Sequence, residues 1–277
     1  MIRRIDYYYL PKKNHKKHDY CEFVISQIEE LVISEEFKSL KQQEIPLNEL
    51  LLNRLNSVDK DKNILDFFEQ NNLIDELNHV VRNRLLLSLI METCYFIQEC
   101  LFCSLKMRMT VCFTLMRKPF LEVAIILMRI LSEEDFIDRF NNEEKFDSVK
   151  TTPEQKKELI RQTNIHLKEK YHVEDIYDFI FNKDYPDSLY NVSNSAIHLF
   201  TDRTENKTGK QNLNFIFSTQ QDNLRYWDYI YETVPMILTF LADLIDLLVL
   251  KSTSCDRVLI MDRVKAREKM KNKKNVC

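Results

Sequence analysis

Tyr190, Asn194, His198 and Asp202 fall four apart, with Asn191 and Ser195 beside them, so a helix here would carry one face made only of hydrogen-bonding groups. Such a face offers two kinds of chemistry. A histidine can take or give a proton near neutral pH, and tyrosine and asparagine can orient a base or a phosphate. His198, Tyr190 and Asn194 are therefore the candidate catalytic residues. Arg203, just beyond them, adds a guanidinium suited to phosphate oxygens. A second basic set opens the chain, where Lys12, Lys13, Lys16 and Lys17 follow Tyr7, Tyr8 and Tyr9. Cations interleaved with aromatics can grip phosphates and stack bases. The same segment also suits an arm that packs on the body through its tyrosines.

Other constellations are weaker. Glu76 with His79 and Glu169 with His172 are both E-x-x-H pairs, the spacing that sets two ligands on one helical face in di-iron bundles, and Glu49 and Glu122 supply single carboxylates in the right chain order. Both pairs lie near expected helix ends among polar neighbours, a poor place for a buried metal. No metal and no cofactor is expected. Cys100 and Cys103 form a C-x-x-C, but no second pair or nearby histidine completes a zinc set. The cysteines sit mostly in apolar sequence and read as reduced core residues. With no signal peptide in view, this points to the cytoplasm. Gly209 is the only glycine. A dinucleotide-binding fingerprint, a Walker A loop and a G-x-S-x-G elbow each need several, so those enzyme classes are excluded.

The elements that would position these residues are helices. The densest apolar run is residues 106 to 131, where Lys118, Glu122 and Arg129 form one narrow stripe and Arg117 stands off it. Pro119 lacks an N–H and should kink this helix. A second apolar helix, residues 236 to 250, carries Thr239, Asp243 and Asp246 on one side. The stripe on the first helix is read either as a solvated face or as a seam in which Lys118 or Arg129 meets these aspartates, because buried charges persist only when paired. A long helix from 73 to about 104 should pair antiparallel with the central one. Asp19 with Glu22 reads as a capping box for a helix running to about 44, Thr152 with Gln155 opens another, and Ser218 with Gln221 caps the last long one. Residues 187 to 200 read as the polar-faced helix, and NLNFIF at 212 to 217 as a short strand. The fold class is all-α, a helical bundle around a long, Pro-kinked central pair.

Three segments are expected: a basic arm with peripheral helices over 1–72, the core bundle over 73–251, and a basic tail over 252–277. The formal charge of −3 is uneven, about +4 over residues 1–20 and +5 over 256–277, which leaves about −12 on the body. Basic ends on an acidic body suit nucleic acid or an acidic partner. No stretch of eighteen uncharged apolar residues occurs, so no membrane span is expected.

The apolar helix with Arg117 and Glu122, the short acidic helix ending at Phe140, and Tyr190, Ser193, Ile197 and His198 in a Y-x-x-S-x-x-x-I-H arrangement together resemble the HEPN superfamily, in an uncharacterised bacterial branch. The resemblance covers roughly residues 73 to 250. It implies a helical bundle, often a homodimer, of toxin, defence or RNA-processing type, with RNA or another nucleic acid as partner. Active members cleave RNA without a metal through an Arg-x4-6-His motif. Positions five to seven before His198 are Ser193, Val192 and Asn191; the pair that fits is Arg161 and His166. Five residues apart on a straight helix is roughly 140° apart, which points the two side chains in different directions. The alternative from another class is a non-catalytic helical interaction subunit.

Overall fold

The computed structural model describes residues 6–42, 45–46, 48–57, 64–202, 207–210, 213–216 and 218–274. Every regular element among them is helical: α1 His15–Ile33, α2 Lys38–Lys41, α3 Glu49–Ser57, α4 Ile64–Gln70, α5 Ile74–Leu105, α6 Met109–Arg117, α7 Ala124–Ser132, α8 Phe136–Asn142, α9 Pro153–His166, α10 Val173–Ile180, α11 Leu189–Ile197, α12 Gln220–Ser252 and α13 Arg257–Lys274. The all-α reading holds. The expected strand does not, because Leu213, Asn214, Phe215 and Ile216 form a turn with Phe215 at φ 61°. Asn212 and Phe217 lie outside the described residues.

Helices α6 and α7 are one run joined by a π-helical turn, Lys118–Val123. Pro119 has no N–H for the carbonyl four residues back, and the helix widens there, closed by the Ala124 N–H donating to the Pro119 carbonyl. The run packs against α5 after a tight reversal at Lys106, Met107 and Arg108, where Met107 takes φ 60° in place of a glycine. Within this hairpin Cys100 Sγ and Cys112 Sγ approach to 3.3 Å, both buried and both free thiols, with burial first and the neighbouring thiol second pushing Cys100 well above its ordinary pKa.

Helix α12 is the spine. By length and composition α5 and α12 could each cross a membrane, but the most apolar eighteen-residue window of α12 is 83% buried against other helices of this chain. Its apolar faces already have partners. Leu238, Leu241, Leu244, Ile245 and Val249 join Val24 and Ile28 of α1, Ile90 and Ile97 of α5, and Leu127 of α7 in a single core. Each fully buried side chain of this size contributes about 1.5–3 kcal/mol. The first 72 residues divide between two places. Helix α1, expected at the periphery, is in the main core because its Tyr20, Val24, Ile25, Ile28 and Leu31 stripe faces α5 and α12, whereas Phe67 and Phe68 of α4 pack with Val80 in a small separate cluster.

The aspartate stripe of α12 is buried, as a seam reading requires, but its cations come from elsewhere. Arg267 of α13 donates from Nη2 to Asp243 Oδ1 at 2.7 Å and to Asp246 Oδ2 at 2.6 Å, and from Nη1 to Gln27 Oε1. Arg263 donates to Asp246 Oδ1, to Glu30 and to the Gln27 carbonyl. Lys170 Nζ and the Tyr171 hydroxyl both reach Asp243 Oδ2. Burial pushes Asp243 upward, but Arg267 and Lys170 outweigh it and hold the carboxyl below its usual range. Residues 257 to 274, read from sequence as a basic tail, are thus a helix whose arginine face closes the core. The two basic groups expected to meet these aspartates are engaged elsewhere: Lys118 with Glu92, and Arg129 with Glu133 and the carbonyls of Asp147 and Ser148.

Removing one partner of such a network strands the others without water. Arg267→Leu is expected to cost about 3–5 kcal/mol in urea unfolding, because Asp243 and Asp246 stay buried and lose the guanidinium they share.

Candidate functional site

Helix α11 is shorter than its pattern suggests. Ser188 caps it by accepting from the Asn191 N–H, and it ends at Ile197. The polar residues then divide. Asn191 is buried, and its Nδ2 donates to the carbonyls of Lys183 and Tyr185, fixing the loop before the helix; Ser195 donates to the Asn191 carbonyl. These groups are structural. Tyr190 and Asn194, one turn apart, face α6 instead, where Arg117 Nη1 donates to Asn194 Oδ1 at 2.9 Å and the guanidinium lies 5.7 Å from the Tyr190 ring centre.

Two lysines complete this face. Lys183 Nζ stands 5.1 Å from the Tyr190 ring centre, and half-buried Lys156 of α9 stands 5.6 Å from the ring of Phe181. Burial, and then the nearby charge of Lys183, hold the Lys156 ammonium below its ordinary pKa, with Tyr190 acting against them. Neighbouring Lys157, by contrast, is tied to Glu174 at 2.6 Å. Among the described residues no carboxylate is ion-paired with Arg117, Lys156 or Lys183. Two cations around the Tyr190 ring, with Lys156 over the ring of Phe181 and close enough to Lys183 to be repelled by it, form a local field that favours an anion.

The remaining predicted residues are placed differently. His198 lies just past the end of α11 in extended backbone, exposed, with its carbonyl accepting from Asn214 Nδ2. It therefore leaves the four-apart line that Tyr190 and Asn194 follow. Asp202 is on the exposed loop beside Lys207, and Arg203 lies outside the described residues. Arg161 and His166 are both on α9, but Arg161 is ion-paired with Glu158 and His166 Nδ1 sits 3.5 Å from Lys251 Nζ, so the pair does not converge. Lys12, Lys16 and Lys17 stand at the start of α1 and the turn before it, and Lys13 is bonded to Asp228 at 2.6 Å. The E-x-x-H pairs form no ligand set: among the described residues no three His, Cys, Asp or Glu side chains converge. Glu169 is one reason. It and Lys168 take left-handed backbone, φ 57° and 60°, in the turn after α9, so Glu169 and His172 do not share a helix.

A polar chain inside the core escaped the sequence reading. His18 Nδ1 lies 2.9 Å from the Tyr231 hydroxyl, which lies 2.5 Å from Ser104 Oγ, and Trp227 Nε1 donates to the Ser104 carbonyl. Glu22 stands 3.6 Å from His18 Nε2. The order carboxylate, imidazole, phenol, hydroxyl resembles a proton relay, but His18, Ser104 and Tyr231 are all buried, so its role is to join α1, α5 and α12.

No family model, no curated protein and no solved structure matches this chain.

The buried imidazole gives a signed pH effect. Burial lowers the His18 pKa from 6.5 to about 4, with Asp19 pulling it up and His15 pushing it down. Between these values the unfolded chain binds the extra proton, so the stability held above pH 6.5 declines as pH falls toward 4, by roughly 3 kcal/mol at about 1.4 kcal/mol per pH unit. Urea midpoints measured across this window are expected to fall for the wild type and to fall less for His18→Gln.

Proposed function

We propose that this chain is a HEPN-like, nucleic-acid-associated helical protein of bacterial defence or toxin type, and that it holds single-stranded RNA on the face around Tyr190. The observation that carries the reading is that Arg117 and Lys183 flank the Tyr190 ring, with Lys156 over neighbouring Phe181, and that among the described residues none of the three is ion-paired with a carboxylate. Cations that track a phosphate backbone beside an aromatic on which a base can stack are the working parts of a single-strand site, and each such stacking contact is worth about 1–3 kcal/mol. Asn194, steadied by Arg117, is placed to read a base edge. If the bound strand is also cut, the proton transfer falls to His198, the exposed imidazole one residue beyond the helix.

A second reading, a helical interaction subunit without catalysis, draws on the exposed Ile197, Leu199, Phe200 and Ile216. These sit on a loop held together by Asn214, which bonds the carbonyl of His198 and the hydroxyls of Thr201 and Thr208.

The test is fluorescence anisotropy with a labelled single-stranded RNA over a salt series, followed by gel analysis of the same RNA in excess EDTA. Lys156→Ala/Lys183→Ala is expected to weaken binding at least tenfold and to reduce the slope of log K against log salt by roughly 1.4, from about 0.7 per phosphate contact. Tyr190→Ala weakens binding with little change of slope. His198→Ala leaves binding intact and stops any EDTA-resistant cleavage. Absence of binding, or affinity indifferent to both the lysine double variant and Tyr190→Ala, removes this reading and favours the interaction subunit.

A further inference from the structure

A groove with a volume near 640 Å³ lies away from Tyr190, between α2, the start of α5 and the end of α12. Its lining is unusual in what it contains. Lys38, Ser39, Gln42, His79, Lys251 and Ser254 contribute ammonium, hydroxyl, amide and imidazole groups, with Ser252 and Thr253 beside them; none of the described lining residues is acidic. Among the described residues neither Lys38 nor Lys251 is ion-paired with a carboxylate. This is unlike the cavity beside Arg267, where lining Lys170 already bridges Asp243 and Glu268.

Three further features favour an anion there. Behind the groove Asn83, 1% exposed, directs Nδ2 at His79 Nε2 and at the Ser252 carbonyl, each at 3.3 Å, while its Oδ1 has no partner. With Nε2 accepting, the His79 proton is on Nδ1 as a donor. The C-terminal end of α12 would ordinarily repel an anion through its open carbonyls. Here the Val249 carbonyl accepts from both the N–H and the hydroxyl of Thr253, and the Ser252 carbonyl from Asn83, while Lys251 sits in the last turn. His166, 3.5 Å from Lys251, is lowered from its ordinary pKa by burial and then by that lysine, as expected of a locally positive field.

We infer that this groove binds a small phosphate ester, with Lys38 and Lys251 taking the phosphate between them and the Ser39 and Ser254 hydroxyls and the Gln42 amide taking its oxygens and a polar body. Two ammonium groups from elements more than two hundred residues apart in the chain match a dianion, and phosphate offers three terminal oxygens to converging donors. The volume is far larger than a phosphate alone and lies within the range of ligand pockets, about 300–1,000 Å³. The several polar side chains of the lining suit the hydroxyls of a sugar phosphate.

Isothermal titration with ribose 5-phosphate, in chloride buffer free of phosphate and sulfate and at two temperatures, tests this. One-to-one binding is expected, weakened tenfold or more in Lys251→Ala and in Lys38→Ala, unchanged in Lys183→Ala at the Tyr190 face, and absent with ribose. Both groove lysines are exposed, so the variants should keep the wild-type melting temperature, read by circular dichroism. No saturable heat with the wild-type protein overturns the inference, as does equal affinity in both groove variants. A loss in these variants of RNA binding, with no response to ribose 5-phosphate, also overturns it and makes the groove part of an RNA surface.

Discussion

Two carboxylates one turn apart on the most deeply buried helix of a protein set a condition that the rest of the chain has to satisfy. Asp243 and Asp246 are shut away from water, and a lone buried carboxylate costs several kcal/mol. The condition is met by residues distant in sequence: Arg263 and Arg267 from α13, Lys170 from the turn after α9, and Gln27 and Glu30 of α1, which anchor the arginines in turn. Apolar packing could be satisfied by many arrangements of these helices. Directional bonds to two fixed carboxylates admit far fewer, so the network sets how α1, α12 and α13 meet.

The strained turn at Lys168 and Glu169 belongs to the same scheme. Two successive non-glycine residues in left-handed backbone are unfavourable, and they are held by Asn164, whose side chain clamps the N–H and carbonyl of Tyr171 and whose carbonyl takes the Glu169 N–H. The result delivers Lys170 and Tyr171 to Asp243. The chain therefore has a closed, fully paired polar centre and, elsewhere on its surface, cations without paired acids. The contrast between the two kinds of site is what gives the open ones meaning as places for an anion.

Much of the helical framework was legible in the residues. The α5 and α6 to α7 hairpin and the Thr152 and Gln155 capping box follow from spacing and apolar periodicity, whereas spacing left open whether the charged stripes face water or a buried seam. Other boundaries moved for local reasons. Asp19 does not cap α1, which already starts at His15; its carboxylate accepts from the Tyr7 hydroxyl. Helix α1 stops at Ile33, where Ser34 takes extended backbone and caps a short 3-10 turn, and Thr219 with Asp222 replaces Ser218 with Gln221 as the cap of α12. Arg263 and Arg267 were hidden in a lysine-rich sequence. Their four-residue spacing against aspartates three apart, and the choice of Arg at those positions among lysines, were the readable signs. At the candidate site the pairing of Tyr190 with Asn194 could be read from helical spacing, but Lys156 and Lys183 resemble any surface lysine until the fold brings α9 and the loop before α11 close together.

The scarcity of glycine has a consequence for the unfolded chain as well as for the folded one. Tyr8, Asn72, Met107, Lys168, Glu169 and Phe215 take positive φ, whereas Gly209 does not. Side chains at these turns strain the native backbone, yet they also confine the denatured ensemble, since every residue other than glycine samples fewer conformations when free. The entropy to be surrendered on folding is correspondingly smaller. This protein thus carries the cost of its turns as enthalpic tension in the ordered state, where a glycine-rich protein carries it as disorder in the coil.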